Sequence, residues 1–476
     1  MGDQSTQLAV IGAGPGGYAA AFLAADLGLQ VTLIDPEANP GGVCLYRGCI
    51  PSKTLLHAAQ VVQEARDGAP WGLKFKELTV DVDLLRQKKE AVVTQFTEGL
   101  GQLAKRRKID HIRGRAVFAD EKTLTVEDLE GHTQRLTFEQ AIIATGSRAV
   151  TLPMFEAAGK RVLDATAALE LEDIPDRLLV VGGGYIGLEL GSVYAGLGSR
   201  VSVVEMTPEL LPGVDRDLVR FLHKRLQSAF DAIQLETAVT AAHAQKNGVM
   251  VTIKNKAGAE ENRLFDKVLV AVGRRPRSDG LGLEKIGVAT DDQGFIRVDE
   301  QRRTSLAHIF AIGDVAGQPM LAHKASHEGR VAAEAAAGQK SAFDPLAIPA
   351  VVFTEPEIAW AGLTEAQAKE KGVSYKVARF PWGASSRAAT LGAPDGLTKL
   401  LVHPGSERIL GVGLVGSGAG ELIAEGTLAI EMGANVTDLG LTIHPHPTLS
   451  ETLMEAAHVF HGTAAHYYNP RRKKRR

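Results

Sequence analysis

A chain of 476 residues with 45% hydrophobic side chains can form about three domains with substantial cores, which excludes a wholesale disordered protein. Its net charge of −3 includes +6 from Arg471–Arg476, so residues 1–470 carry −9 and offer no nucleic-acid footprint. Only two cysteines are present, too few for a structural disulfide framework, and the 14 histidines show no metal-ligand spacing.

The first element is an apolar strand from Leu8 that runs into Gly12-Ala-Gly14-Pro-Gly-Gly17 and an alanine-rich helical stretch. The next strand starts at Val31 and ends at Asp35. The 18 uncharged positions from Leu8 to Ala25 contain Gly14-Pro15-Gly16-Gly17 and follow no basic residue, so they read as neither a membrane span nor a signal peptide. A cytoplasmic location is therefore expected, with no membrane or nucleic-acid partner. In a reducing compartment a persistent disulfide is catalytic rather than structural.

Both cysteines fall in Gly41-Gly-Val-Cys44-Leu-Tyr-Arg-Gly-Cys49-Ile-Pro-Ser-Lys53. Gly48 permits their close approach, and Ile50–Lys53 reads as a first helical turn with proline where a helix tolerates it. A thiolate there gains from the helix N-terminus and a nearby cation, as thiol–disulfide exchange requires.

Alternating stretches such as Thr123-Leu-Thr-Val predict an inserted antiparallel piece, and Ala141–Arg148 closes the first unit. At an offset of 170 the opening pattern returns: a strand from Leu179, then Gly182, Gly184 and Gly187, then a strand from Val201 ending at Glu205. Each acid lies 23 residues beyond its first glycine. Two copies of strand, G-x-G-x-x-G, helix and acid define two dinucleotide sites: the glycines admit a pyrophosphate at the helix N-terminus and the acid takes a ribose. At Glu205 a carboxylate welcomes the 2′-OH of NAD and repels the phosphate of NADP, and Met206-Thr-Pro supplies no arginine.

Val268–Arg275 closes the second unit, and the strand His308–Asp314 reads as a return to the first. From about Ile348 antiparallel strand patterns begin, followed by helical patterns at Glu421–Met432 and Ser450–Phe460, a separate α+β domain. The last residues, Tyr467–Arg476, read as a loose tail.

The two-cysteine run to Lys53, Gly182–Glu189, Ala271–Pro276, Ile312–Asp314 with Met320–Lys324, and His444–Glu451 together resemble the pyridine nucleotide–disulfide oxidoreductase family. The match spans all but the tail and is closest to members that oxidise the dihydrolipoamide of 2-oxoacid dehydrogenase complexes. The resemblance implies an α/β fold of two Rossmann-like domains, for FAD and NAD, plus a C-terminal α+β dimerisation domain. Its segments would be 1–150 (FAD), 151–275 (NAD), 276–345 (FAD, return), 346–470 (interface) and the tail 471–476.

The implied catalytic set is Cys49 facing the flavin, Cys44 exchanging with substrate, Lys53 paired with Glu189 near the flavin ring, and His446 oriented by Glu451. His446 would act as base in the other subunit's site and precede a cis proline, with His444 in support. FAD would meet Gly12, Gly14, Gly17, Asp35, Lys53, Ala116, Thr145, Gly146, Asp314 and Ala322. NAD would meet Gly182, Gly184, Gly187, Glu205, Val239 and Gly273. No metal is implied. The implied partners are a second copy of the chain and a lipoyl-bearing acyltransferase. Alternatives are another disulfide reductase of the family, such as a glutathione reductase, or chiefly a docking subunit. The chain departs from the usual motif at Val43, Tyr46 and Asp35, none of which removes a reactive group.

Overall fold

The computed structural model describes residues 4–76 and 78–468; the basic run 471–476 lies outside the described residues. Its first sheet has seven strands. Asp110–Ile112, Val31–Ile34, Gln4–Ile11 and Thr133–Ile143 lie side by side in parallel. Leu8–Val10 are fully buried because helices and neighbouring strands cover both faces. Thr133–Ile143 carries two architectures on one edge. Its first half pairs antiparallel with Thr123–Asp128, which continues to Gly114–Asp120. Its last three residues pair in parallel with Ile309–Ala311, so the chain returns to this sheet after the second unit. Helices Pro15–Asp26 and Ala322–Ala336 pack closely through small residues: a Cβ on Gly329 would sit 2.4 Å from the Gly16 carbonyl oxygen.

Most of the interval between Val31 and Gly114 is helical. Gly42–Arg47 and Cys49–Arg66 carry the cysteines, and Val82–Arg106 runs for 25 residues from its cap, where the Asp81 carboxylate accepts the Leu84 N–H. The cap signal Asp81 precedes Val82 and Leu85, which pack inward, while the exposed face mixes charged and amide side chains with Leu84, Phe96 and Leu103.

The second sheet is parallel, in the order Ala232–Gln234, Arg200–Val204, Arg177–Val181, Lys267–Val270, Val162–Leu163. An antiparallel meander over Thr237–Gln245, Gly248–Asn255 and Glu260–Phe265 lies between its strands in sequence. The two units are joined by a two-stranded link, Ser147–Ala149 with Arg274–Pro276. The third sheet is antiparallel, ordered Ala350–Val352, Glu357–Gly362, Ile409–Gly416, Leu397–Val402, Lys376–Pro381. Helices Ala419–Glu431, Val436–Leu441 and Glu451–His461 follow it. No described helix is long and apolar enough to cross a membrane.

The second and third units are pinned by a buried cation. Lys399, 0% exposed, places Nζ 2.8 Å from Asp215, 2.9 Å from Asp217 and 2.6 Å from Glu365. Arg379 shares Asp217 and Glu365. Burial disfavours the ammonium, but the three carboxylates outweigh it and raise the lysine's pKa. The ammonium thus occupies the space between carboxylates that a metal ion would otherwise suit. Removing one member of such a group strands buried charge, so Lys399→Met should cost about 3–5 kcal/mol. A denaturation midpoint equal to wild type would show that the contact is not stabilising.

Candidate active site

Cys44 and Cys49 form a disulfide with Cα atoms 4.8 Å apart. Gly48 makes the approach possible, because a Cβ there would lie 2.8 Å from the Val43 carbonyl oxygen and 3.1 Å from the Cys44 Cα. Cys49 opens helix Cys49–Arg66, so a thiolate released at this sulfur faces unsatisfied backbone N–H groups. Both cysteines line one elongated cavity that also takes in Gly12, Gly14, Asp35, Thr145 and Asp314.

One turn beyond Cys49, the Lys53 ammonium lies 2.8 Å from Glu189 and 4.5 Å from the centroid of the Phe353 ring. Glu189 sits on helix Tyr185–Leu197 of the second unit and is 3% exposed. Its carboxylate also accepts the Ser52 hydroxyl (3.3 Å) and the Phe353 N–H (3.0 Å). A lysine and a glutamate 136 positions apart thereby join the three units at the cavity.

The two glycine units match atom for atom. Asp35 accepts the Ala13 N–H (2.8 Å) and the Glu37 N–H (3.0 Å); Glu205 accepts the Gly183 N–H (2.6 Å) and the Thr207 N–H (2.7 Å). Each carboxylate closes its own turn and keeps lone pairs for a ribose. Gly17 and Gly187 are demanded by the chain, since a Cβ would collide with the Gly12 or Gly182 carbonyl oxygen. Gly14 and Gly184 are different: both have ordinary backbone angles, and a Cβ would meet no protein atom within 4 Å. Their bareness leaves space for a ligand, and two dinucleotides fit the cradles.

Asp314 is held by the Ser147 hydroxyl, which in turn accepts Arg274 Nε at 2.8 Å. Its turn is fixed by Glu328, fully buried, which accepts the Gly313 N–H (2.6 Å) and pairs with Arg302 and Lys324 at 2.9 Å each. Ala322 begins the helix at the cavity wall, and Thr145 donates its hydroxyl to the Arg277 carbonyl at 2.8 Å. Ala116 is buried in strand Gly114–Asp120, outside the cavity lining, as are Glu205, Val239 and Gly273. Ser147, Arg274, Arg277, Arg47 and Tyr185 line the cavity as well and had not stood out as ligand residues. All five lie within or beside the quoted runs, but only the fold turns them inward.

His446 is not in this cavity. It stands on the loop before helix Glu451–His461, its side chain 65% exposed, preceding a cis Pro447. Its Nδ1 lies 2.9 Å from Glu451, whose other oxygen accepts the Thr448 N–H at 2.8 Å. Burial raises the Glu451 pKa, but the Thr448 N–H and His446 overcome it and leave the carboxyl below its usual value. The anion is therefore kept through the neutral range and its contribution is lost as pH falls through the lowered pKa. His444 is similarly paired, with Glu425 at 2.6 Å, but its ring is nearly buried. Within one subunit the acid-oriented imidazole and the disulfide are thus not brought together.

An exchangeable disulfide beside two dinucleotide cradles defines a flavin-linked thiol–disulfide oxidoreductase. Residues 6–329 match pyridine nucleotide-disulphide oxidoreductases and residues 348–457 match that group's dimerisation domain, so the chain belongs to this family. FAD and NAD are the cofactors the family uses. The chain is 48% identical to dihydrolipoyl dehydrogenase of Haemophilus influenzae over 99% of its own length and 98% of the relative's. It is 47% identical to dihydrolipoyl dehydrogenase of Thermus scotoductus, covering 97% and 99%. The crystal structure of LpdA from Mycobacterium tuberculosis superposes with a TM-score of 0.88 at 27% identity, covering 95% of this chain and 99% of that one. The exposed apolar side chains Leu428, Met432, Leu441 and Ile443 lie in the dimerisation segment, where a second copy would cover them.

Proposed function

We propose that the chain oxidises a protein-bound dihydrolipoyl group and passes the electrons to NAD⁺. The observation that carries this reading is the outward-facing His446–Glu451 pair, set apart from the disulfide of its own subunit. In a two-fold dimer the partner subunit's His446 would reach the disulfide, and a dithiol substrate needs such a base. Relatives spanning the full length of the chain bear the name dihydrolipoyl dehydrogenase, which supports the substrate class.

The partner's His446 takes a proton from one substrate thiol. The resulting thiolate forms a bond to Cys44 Sγ while the Cys44–Cys49 bond breaks and Cys49 leaves as thiolate. The second substrate thiol, once deprotonated, attacks its own sulfur in the mixed disulfide. The lipoyl ring closes and Cys44 is released reduced, so two electrons have moved from substrate to the cysteine pair. Cys49, Lys53, Asp35 and Asp314 would hold the FAD, which supplies the two-electron link from the dithiol to NAD⁺. Lys53 keeps positive charge at that end of the cavity, and Glu189 holds its ammonium in place. Glu205 would select NAD over NADP. The lipoyl group would come from the acyltransferase of a 2-oxoacid dehydrogenase complex.

Purified protein should form NADH rapidly from dihydrolipoamide and NAD⁺ and leave NADPH untouched with oxidised glutathione. Turnover in the second mixture alone would mean that Glu205 and the histidine loop have been misassigned.

A further inference from the structure

The flavin cavity is lined by the cations Arg47, Lys53, Arg274 and Arg277 and the acids Asp35, Glu37, Glu189 and Asp314, but among the described residues Arg277 has no acid of its own. Arg47 ends helix Gly42–Arg47, between the cysteines, and pairs with Glu37, two residues after the ribose acid Asp35. Arg115 lies next to Gly114, whose N–H reaches the Asp35 carbonyl at 3.3 Å. Arg277 follows the two-stranded link; its N–H donates to the Gly146 carbonyl at 2.9 Å, and its own carbonyl accepts from Thr145. Segments far apart in sequence thus bring Arg47 and Arg277 to the cavity that holds Gly14 and Asp35, with the charge of Arg115 close enough to act on Arg277.

Among the described residues neither Arg115 nor Arg277 has a carboxylate within ion-pairing distance. Partial burial in the cavity wall lowers the Arg277 pKa, and the nearby charges of Arg115, Arg148, Arg274 and Arg47 lower it further. Arg148 and Arg275 also face each other directly across the link, and only Arg148 pairs with an acid, Asp279. Like charges set opposite one another are unfavourable unless an anion joins them. An anion would join these charges, and the bare Gly14 leaves open space in the same cavity.

We propose that Arg277, backed by Arg115 and Arg47, is a clamp on the adenosine monophosphate portion of the flavin cofactor. This rests on the flavin cavity and not on the identity of the disulfide substrate, so lipoyl turnover and the clamp stand or fall separately. Arginine suits the task because its planar fork can pair with phosphate oxygens or lie against an adenine ring. The tie between Arg47 and Glu37 further couples occupation of this end to the helix that carries Cys44.

The test compares apoprotein reconstitution with FAD and with FMN, which lacks the adenosine monophosphate portion, by quenching of flavin fluorescence. Arg277→Gln should weaken FAD binding about 10-fold at low salt, the usual worth of one charge-assisted contact, and less at high salt. Arg277→Lys should recover part of the loss, and FMN should bind wild type and variant alike. Unchanged FAD affinity in Arg277→Gln would overturn the clamp. So would equal weakening of FAD and FMN, which would mark a distorted cavity instead.

Discussion

Cys44→Ser should lose dihydrolipoyl oxidation by at least on the order of 10³-fold while still binding flavin. The magnitude follows from the chemistry: a serine cannot form the disulfide that the substrate thiolate must open, so the covalent route disappears rather than slows. Flavin binding should survive because Gly12, Gly14, Asp35 and Asp314 form the cradle independently of the Cys44 sulfur. Gly48 lets the Cys44 and Cys49 backbones approach whether or not the sulfurs are joined, so the local fold should also hold. The measurement is steady-state NADH formation alongside the flavin absorption spectrum. Turnover within tenfold of wild type would remove the disulfide from the mechanism, and loss of flavin would mean that Cys44 serves the fold.

His446→Gln should slow dithiol oxidation by about 10²–10⁴-fold, the usual contribution of a positioned general base. Glutamine can still donate a hydrogen bond to Glu451 at the 2.9 Å contact, so the loop should keep its shape while losing the ability to accept a proton. The defect should fall on reduction of the disulfide by substrate and spare the NADH-to-flavin direction, which needs no such base. Glu451→Gln should do less harm, because it leaves the imidazole in place and removes only the charge that orients it. Equal rates for wild type and His446→Gln in single-turnover reduction would discard the base assignment. A second test uses the dimer: if the partner's His446 serves each site, mixing Cys44→Ser with His446→Gln should restore one working site per heterodimer. No recovery on mixing would place the histidine and disulfide in the same subunit.

What could be read along the chain was whatever chemistry demands over a short stretch. A pyrophosphate needs bare backbone beside a helix start, so Gly12–Gly17 and Gly182–Gly187 announce themselves, and the acids 23 residues on follow from the next strand's length. The cysteine run is equally local, since Gly48 and Pro51 make sense only around a close pair at a helix start. The antiparallel texture after Ile348 also came through, because alternation is a property of single strands. Helix Val82–Arg106 was not read from the sequence: apolar side chains stand on its exposed face too, at Leu84, Phe96 and Leu103, and blur its periodicity.

The family, the two glycine turns and the cysteine pair are legible along the chain, and the motif around His446 makes it a candidate base. Which distant charges meet depends on how the units pack. Lys399 and Asp215, and the mutual influence of Arg47, Arg115 and Arg277, join residues on different elements, and Lys and Arg carry no positional signal of their own; the Lys53–Glu189 pair was expected from the family resemblance alone. The physical reason lies in how each interaction is made. Backbone turns and helix starts are set by neighbours a few residues away, whereas an ion pair depends on the packing of whole domains and can be seen only once they are packed.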